Sequence, residues 1–92
     1  MHFIVESGST KSDWVLVDSK NNQSFHTTIG FNPYFHSSEL ITSEIKKNLD
    51  IMNVAPEIKS VYFYGAGCSS SEMNAIVEAG LKKIFVNAFI LV

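Results

Sequence analysis

The sequence contains no arginine; its fixed positive charges are seven lysines against nine carboxylates, and the formal net charge is −2. Such a chain has no basic face, which argues against nucleic-acid binding. One cysteine, Cys68, is present. A lone thiol excludes an internal disulfide framework and a multi-cysteine zinc site, and the plain expectation is a cytoplasmic protein. Long apolar runs are also missing. The longest stretch, Ile84 to Val92, is interrupted by Asn87 and falls well short of the roughly 20 residues a membrane helix needs. No basic region followed by an apolar one opens the chain, so no secretory signal is visible.

What is present is apolar residue in quantity. At 92 residues and 46% hydrophobic content the chain is too greasy for a disordered tail. It makes at most one domain, burying only about 60–65% of its unfolded surface. It stops at Phe89-Ile90-Leu91-Val92, within an apolar run. A bare hydrophobic strand needs cover, so the expectation is the front part of something longer.

Patterning divides the chain into alternating segments. His2 to Val5 reads as a strand, Glu6 to Ser12 as a polar turn, Trp14 to Val17 as a second strand, and Ser24 to Ile29 as a third. Lys20-Asn21-Asn22 supplies the second turn. Pro33 keeps Asn32 out of helical geometry, so Gly30 to Tyr34 is a loop. Ser37 is an expected N-cap with Glu39 in the first turn. Ile41, Ile45, Leu49 and Met52 then recur at helical spacing, predicting a helix over 38–53. Val61 to Tyr64 is a fourth strand, apolar throughout. Gly65 to Cys68 forms a tight turn and Ser69-x-x-Glu72 a capping box. Met73, Ile76, Val77, Gly80 and Leu81 mark the face of a second helix, ending at Lys82 and Lys83. Gly80 is expected to permit close helix–sheet packing. Ala88 to Val92 is a fifth strand. The order βββαβαβ, with right-handed crossovers, predicts an α/β domain: a mixed five-stranded sheet of ribonuclease-H-like topology with helices on its faces.

The strongest chemical candidate is Glu6-Ser7-Gly8-Ser9-Thr10-Lys11-Ser12-Asp13. Small residues let a backbone approach a phosphate with several N–H groups pointing at it, Ser9 and Thr10 add hydroxyls, and Lys11 adds a point charge. Glu6 could hold magnesium through water. The segment is not a Walker A loop, since it lacks the glycine before the lysine and the following helix. An ordinary polar hairpin turn is the alternative. Asp13 reads as a loop cap ahead of a second metal carboxylate. Cys68 reads as a structural thiol, and Trp14, Tyr62, Phe63 and Tyr64 as sheet core. His2, His26 and His36 have no metal spacing.

Three segments in order, Val5 to Trp14, Gly30 to Phe35, and Val61 to Cys68, resemble the N-terminal half of the BadF/BadG/BcrA/BcrD ATPase family. That family lies within the actin-like ATPase and sugar-kinase superfamily, and the match is to its N-acetylglucosamine-kinase-like members. The resemblance implies that residues 1–92 are an N-terminal lobe. It implies that Gly8, Ser9, Thr10 and Lys11 line the phosphates of ATP and that Glu6 serves Mg2+. It further implies that Asn32 bonds a sugar hydroxyl and that Gly65, Ala66 and Gly67 form a cleft wall near an amino sugar. The general-base Asp it implies would lie beyond Val92, so the chain itself is expected to be catalytically inactive. Two other readings stand beside it: an ATPase that activates a partner enzyme, and a stand-alone nucleotide- or protein-binding module that dimerises through an exposed sheet edge.

Overall fold

A computed structural model describes all residues from Met1 to Val92. Strands β1 (His2–Ser7), β2 (Lys11–Val17) and β3 (Gln23–Ile29) form an antiparallel meander, followed by helices α1 (Ser38–Lys46) and α2 (Leu49–Val54), strand β4 (Ser60–Gly65), helix α3 (Ser71–Lys82) and strand β5 (Phe89–Leu91). One mixed sheet runs in the order β3-β2-β1-β4-β5, with β1 parallel to β4 and β4 parallel to β5. The predicted α/β class and the five strands are present. The strands of the meander are longer than the apolar runs suggest. Pairing continues through Glu6↔Asp13 and Ser7↔Ser12, which shortens the first turn to Gly8–Thr10.

Period-two alternation buries one face of the sheet. Phe3 and Val5 of β1, Trp14 of β2, and Val61 and Phe63 of β4 are buried, in one core with Ile41 and Ile45 of α1 and Val77 and Leu81 of α3. Trp14 stands edge-on to Phe3, ring centroids 5.2 Å apart, and its indole N–H donates to Thr28 Oγ1 at 2.9 Å. An edge-to-face pair of this kind is worth about 0.5–1.5 kcal/mol beyond its buried area.

The opposite face carries no helix, contrary to the expectation of helices on both faces. There the register aligns Phe25, Val15, Ile4, Tyr62 and Leu91 in a row across all five strands. Phe25 is 72% exposed, Leu91 49% and Ile4 41%. Val15 and Tyr62, between them, are half-buried, so the row forms one apolar strip on a face that no helix covers.

Four local expectations are corrected. The helix over 38–53 is two helices, because Asn48 leaves helical geometry and its side chain accepts from the Ile51 amide at 3.0 Å. Asparagine competes for backbone partners in this way, so it starts a helix better than it continues one. The second long helix is capped by Ser70, which accepts from the Met73 amide, so the Ser69–Glu72 capping box does not form. The last strand covers Phe89–Leu91 rather than 88–92. Gly80 serves a helix–helix contact, not a helix–sheet one. A Cβ there would lie 2.9 Å from Ile41 Cγ2, and Thr42 Oγ1 donates to the Gly80 carbonyl at 2.9 Å.

Ser37 caps α1 as expected, accepting from the Leu40 amide. At the far end of the meander Asp18 accepts from the Lys20 and Asn22 amides around Asn21 (φ 63°). The Asn22 bond, then the Lys20 bond, hold its carboxyl below the usual carboxylate range.

Candidate functional site

Three connections meet at the carboxyl ends of β1 and β4: the Gly8–Thr10 turn, the loop that follows β3, and the Gly65–Cys68 turn. Carboxyl ends of parallel strands are the usual place for ligands on open α/β sheets. Ser7 ties the three together. Its hydroxyl accepts from the Phe31 amide at 2.7 Å and from Ser12 Oγ at 2.8 Å, and its carbonyl accepts from the Ala66 amide at 3.0 Å. Both serines are buried. Composition alone places them in a polar turn. The signal that identifies them is spacing, since Phe3-x-Val5-x-Ser7 and Ser12-x-Trp14 extend the buried alternation by one step each.

The Gly8–Thr10 turn is closed by the Gly8 amide donating to the Lys11 carbonyl at 2.8 Å, and braced by the Gly30 amide donating to the Thr10 carbonyl at 3.1 Å. The amides of Ser9 and Thr10 and both their hydroxyls make no hydrogen bond within the chain. The turn therefore presents unspent donors toward solvent. Gly8 has no structural reason to be glycine. Its φ is not positive, and a Cβ would meet only the Lys11 carbonyl at 3.6 Å. The missing side chain keeps the backbone accessible.

Beside this turn lies a cleft of about 520 Å³ lined by Glu6, Gly8 to Lys11, Asp13, Tyr64 and Gly65. Its ionic groups are Glu6 and Asp13, cross-strand neighbours, and Lys11, whose Nζ is 3.6 Å from Asp13 Oδ1. An exposed pair like this contributes about 0–1 kcal/mol, so Lys11 is free to turn to another anion. With two carboxylates and one ammonium the cleft does not attract a polyphosphate unaided. It fits a polyphosphate carrying magnesium, because magnesium keeps most of its water and binds through one or two carboxylates plus phosphate oxygens. No group of three or more His, Cys, Asp or Glu side chains forms a protein-only metal cage.

The residues expected around the sugar divide between two places. Gly65 lines the cleft, whereas Gly67 backs onto Asn32 on the adjoining ridge. Ala66 is exposed between them. Gly67 has φ +78°, and a Cβ on it would overlap Asn32 Oδ1, so glycine is required there on both counts. Asn32 organises its own loop. Its Oδ1 accepts from the Tyr34 amide at 3.0 Å, its carbonyl accepts from the Phe35 and His36 amides at 2.9 and 2.8 Å, and its amide donates to His36 Nδ1 at 2.9 Å. Tyr64, expected in the core, is 60% exposed and stands on the cleft side of the sheet.

Cys68, on the last position of its turn, is half-buried, and burial pushes its thiol pKa up. The thiolate is the reactive form, so alkylation by iodoacetamide at pH 7.5 is expected to run several-fold slower than for a small-molecule thiol. It should accelerate only as the pH is raised well above neutrality. A rate at or above that of the free thiol contradicts the burial argument.

The architecture is an α/β domain, and its likeness to a solved structure supports a sugar-kinase-like fold. A crystal structure from Porphyromonas gingivalis, of a protein described as a candidate N-acetylglucosamine kinase, matches 99% of this chain with a TM-score of 0.84 and 27% sequence identity. The match covers 33% of that protein, so the present chain spans about a third of its length. No family model matches the chain, and no curated protein matches it. No helix is long and apolar enough to cross a membrane.

Proposed function

We propose that residues 1–92 form the N-terminal lobe, holding ATP phosphates and an amino sugar, of a cytoplasmic ATP-dependent sugar kinase of the N-acetylglucosamine-kinase type. The observation that carries this reading is the Gly8–Thr10 turn, a braced hairpin with free amides and hydroxyls at the edge of a carboxylate-bearing cleft. The strand order β3-β2-β1-β4-β5 and the likeness to the Porphyromonas protein support a ribonuclease-H-like, actin-like topology; a BadF/BadG-type lineage rests on the resemblance of the three sequence segments alone. The apolar row on the helix-free face and the one-third coverage support a longer parent whose other segments cover that face.

In this reading Gly8 to Lys11 donate to the β- and γ-phosphates, and Glu6 orients the water shell of Mg2+. Bound Mg·ATP supplies the transferable phosphoryl group and neutralises its charge. Asn32 orients the sugar. Phosphoryl transfer depends on positioning and charge stabilisation from both sides of the cleft, and the general base is assigned to the parent's other segments. The 92 residues alone are therefore expected to show no sugar-dependent ATP consumption.

Amide chemical shifts of the labelled chain, titrated with Mg·ATP, test the assignment. Weak, magnesium-dependent shifts confined to Gly8–Lys11 and Gly65 are expected. Shifts centred elsewhere, or none at millimolar nucleotide, reject it. Submicromolar affinity contradicts the half-cleft, and ATP turnover by the chain rejects the remote base.

A further inference from the structure

Of the three histidines in the chain, His36 alone is held by a bond that its charged form cannot make. The Asn32 amide donates to its Nδ1 at 2.9 Å across the loop between β3 and α1. An imidazolium carries a proton on both ring nitrogens, so only an unprotonated Nδ1 accepts this N–H, and the ring proton then sits on Nε2. A flipped ring would put a carbon at that point and leave the amide without an acceptor. His26 differs. Its Nε2 lies 3.4 Å from Ser24 Oγ, and a hydroxyl can donate to a neutral ring or accept from a charged one, so a proton there breaks nothing. The His2 side chain makes no hydrogen bond within the chain.

The position of the His36 bond gives it leverage. Asn32 is the hub of the loop: its Oδ1 accepts from the Tyr34 amide and its carbonyl from the Phe35 and His36 amides. Phe31, just before it, is buried and anchored by its amide on Ser7 Oγ, and Ser37, just after His36, caps α1. The loop is thus fixed at both ends, and the imidazole ties its last residue back to its first. Asn32 and His36 are both half-buried, so water is a poor substitute for the lost acceptor.

Few ionisable groups surround the ring. The cavity it lines is shared with Tyr34 of the same loop and Glu39 of α1, while α3 contributes only the apolar Ile76. The turn after β4 meets the loop through Gly67, against Asn32 and Tyr34. The N-terminus of α1, whose partial positive charge opposes a cation, follows directly. Glu39 is the carboxylate available to a charged ring in that cavity. The ring therefore has two alternative arrangements, neutral against the Asn32 amide or charged toward Glu39.

We propose that His36 is a proton-operated latch on the loop between β3 and α1: the neutral ring closes the loop through the Asn32 N–H, and protonation releases it. The closed loop is favoured at high pH and lost as the pH falls, because it excludes the proton from Nδ1. A ligand that requires the closed loop binds the neutral state alone. The latch follows from the loop's own bonds and does not depend on the kinase reading.

Hydrogen exchange of the Asn32 amide, followed by NMR on the 92-residue chain and corrected for the intrinsic pH dependence of exchange, tests the latch. Protection of Asn32 should fall by about tenfold between about pH 8 and pH 5, the span over which histidine changes charge. The Tyr34, Phe35 and His36 amide shifts should move with the same midpoint as the His36 ring nitrogens. In His36→Asn the side-chain Oδ1 takes the place of Nδ1 and does not titrate, so Asn32 should stay protected at both pH values. In His36→Ala it should be unprotected at both. His26→Asn should behave as the parent. Constant protection in the parent, a pH response that survives in His36→Asn, or one abolished by His26→Asn overturns the latch.

Discussion

Gly30→Ala is expected to unfold the cleft edge and remove much of the domain's stability. Gly30 is buried, and a methyl group on it would overlap the carbonyl oxygen of Gly8 and press at 3.0 Å on Lys11 N and Ser9 C. All of these are backbone atoms of the candidate phosphate turn, so no side-chain rotation relieves the contact. Overpacking a rigid site costs about 1–3 kcal/mol, and the all-backbone environment places this substitution at about 3 kcal/mol. A domain of this size has roughly 5–14 kcal/mol in total. With a urea slope of about 1 kcal/mol per molar, the midpoint of unfolding should fall by roughly 2–3 M. Gly8→Ala provides the contrast. Its Cβ would meet only an ordinary van der Waals neighbour, so its stability should stay within about 0.5 kcal/mol of the parent and its midpoint nearly unchanged. An unchanged midpoint in Gly30→Ala, or a large drop in Gly8→Ala, contradicts the division between a glycine required by the fold and one left free for a ligand.

Trp14→Ala carries the largest expected loss. The ring is fully buried beside Phe3 and Phe85, and it stands edge-on to Phe3. Truncating a buried aromatic to alanine costs about 3–5 kcal/mol through lost burial and the cavity left behind. That is close to the whole stability of a small domain at the low end of the range. Thermal unfolding followed by far-ultraviolet circular dichroism should show a broad or absent transition. Trp14→Phe keeps an aromatic in the same place and should lose about 1–2 kcal/mol. The Thr28 hydroxyl, which accepts from the indole N–H, also donates to the Ile29 carbonyl, so the smaller ring does not strand it. A cooperative transition at the parent temperature in Trp14→Ala would show that the core does not depend on this ring. Because β2 begins at Lys11, the same substitution should loosen the cleft from below, and Mg·ATP shifts at Gly8–Lys11 should weaken in parallel.

Much of this organisation is readable in the residues. Alternation and apolar runs locate the five strands, and Ser37 announces the start of α1 by its capping chemistry. The compact polar segment Glu6 to Asp13 stands out because small residues, one lysine and two carboxylates are so closely spaced. Where sequence reading misses, tertiary context decides between two local options. Asn48 could continue a helix or begin one, and its side-chain bonds to the Ile51 amide and the Thr27 carbonyl select the second. Ser69 and Ser70 are equivalent caps by type, and docking of α3 selects Ser70. Tyr62 and Tyr64 look like core because strand composition does not reveal which face a helix will cover.

The sequence by itself determined the class of the domain, since hydrophobic periods of two and of about 3.6 residues can satisfy backbone and burial together only in those elements. It also determined the chemical character of the first turn, which follows from residue type. Only the tertiary structure decided that the helices cover a single face, that Ser7 and Ser12 brace three loops from below, and that Gly30 rather than Gly8 is indispensable to the fold. It also separated Gly67 and Asn32 from the candidate cleft beside the first turn. These outcomes depend on contacts between residues distant in sequence, where a single bonded partner or an overlapping methyl group outweighs any local preference.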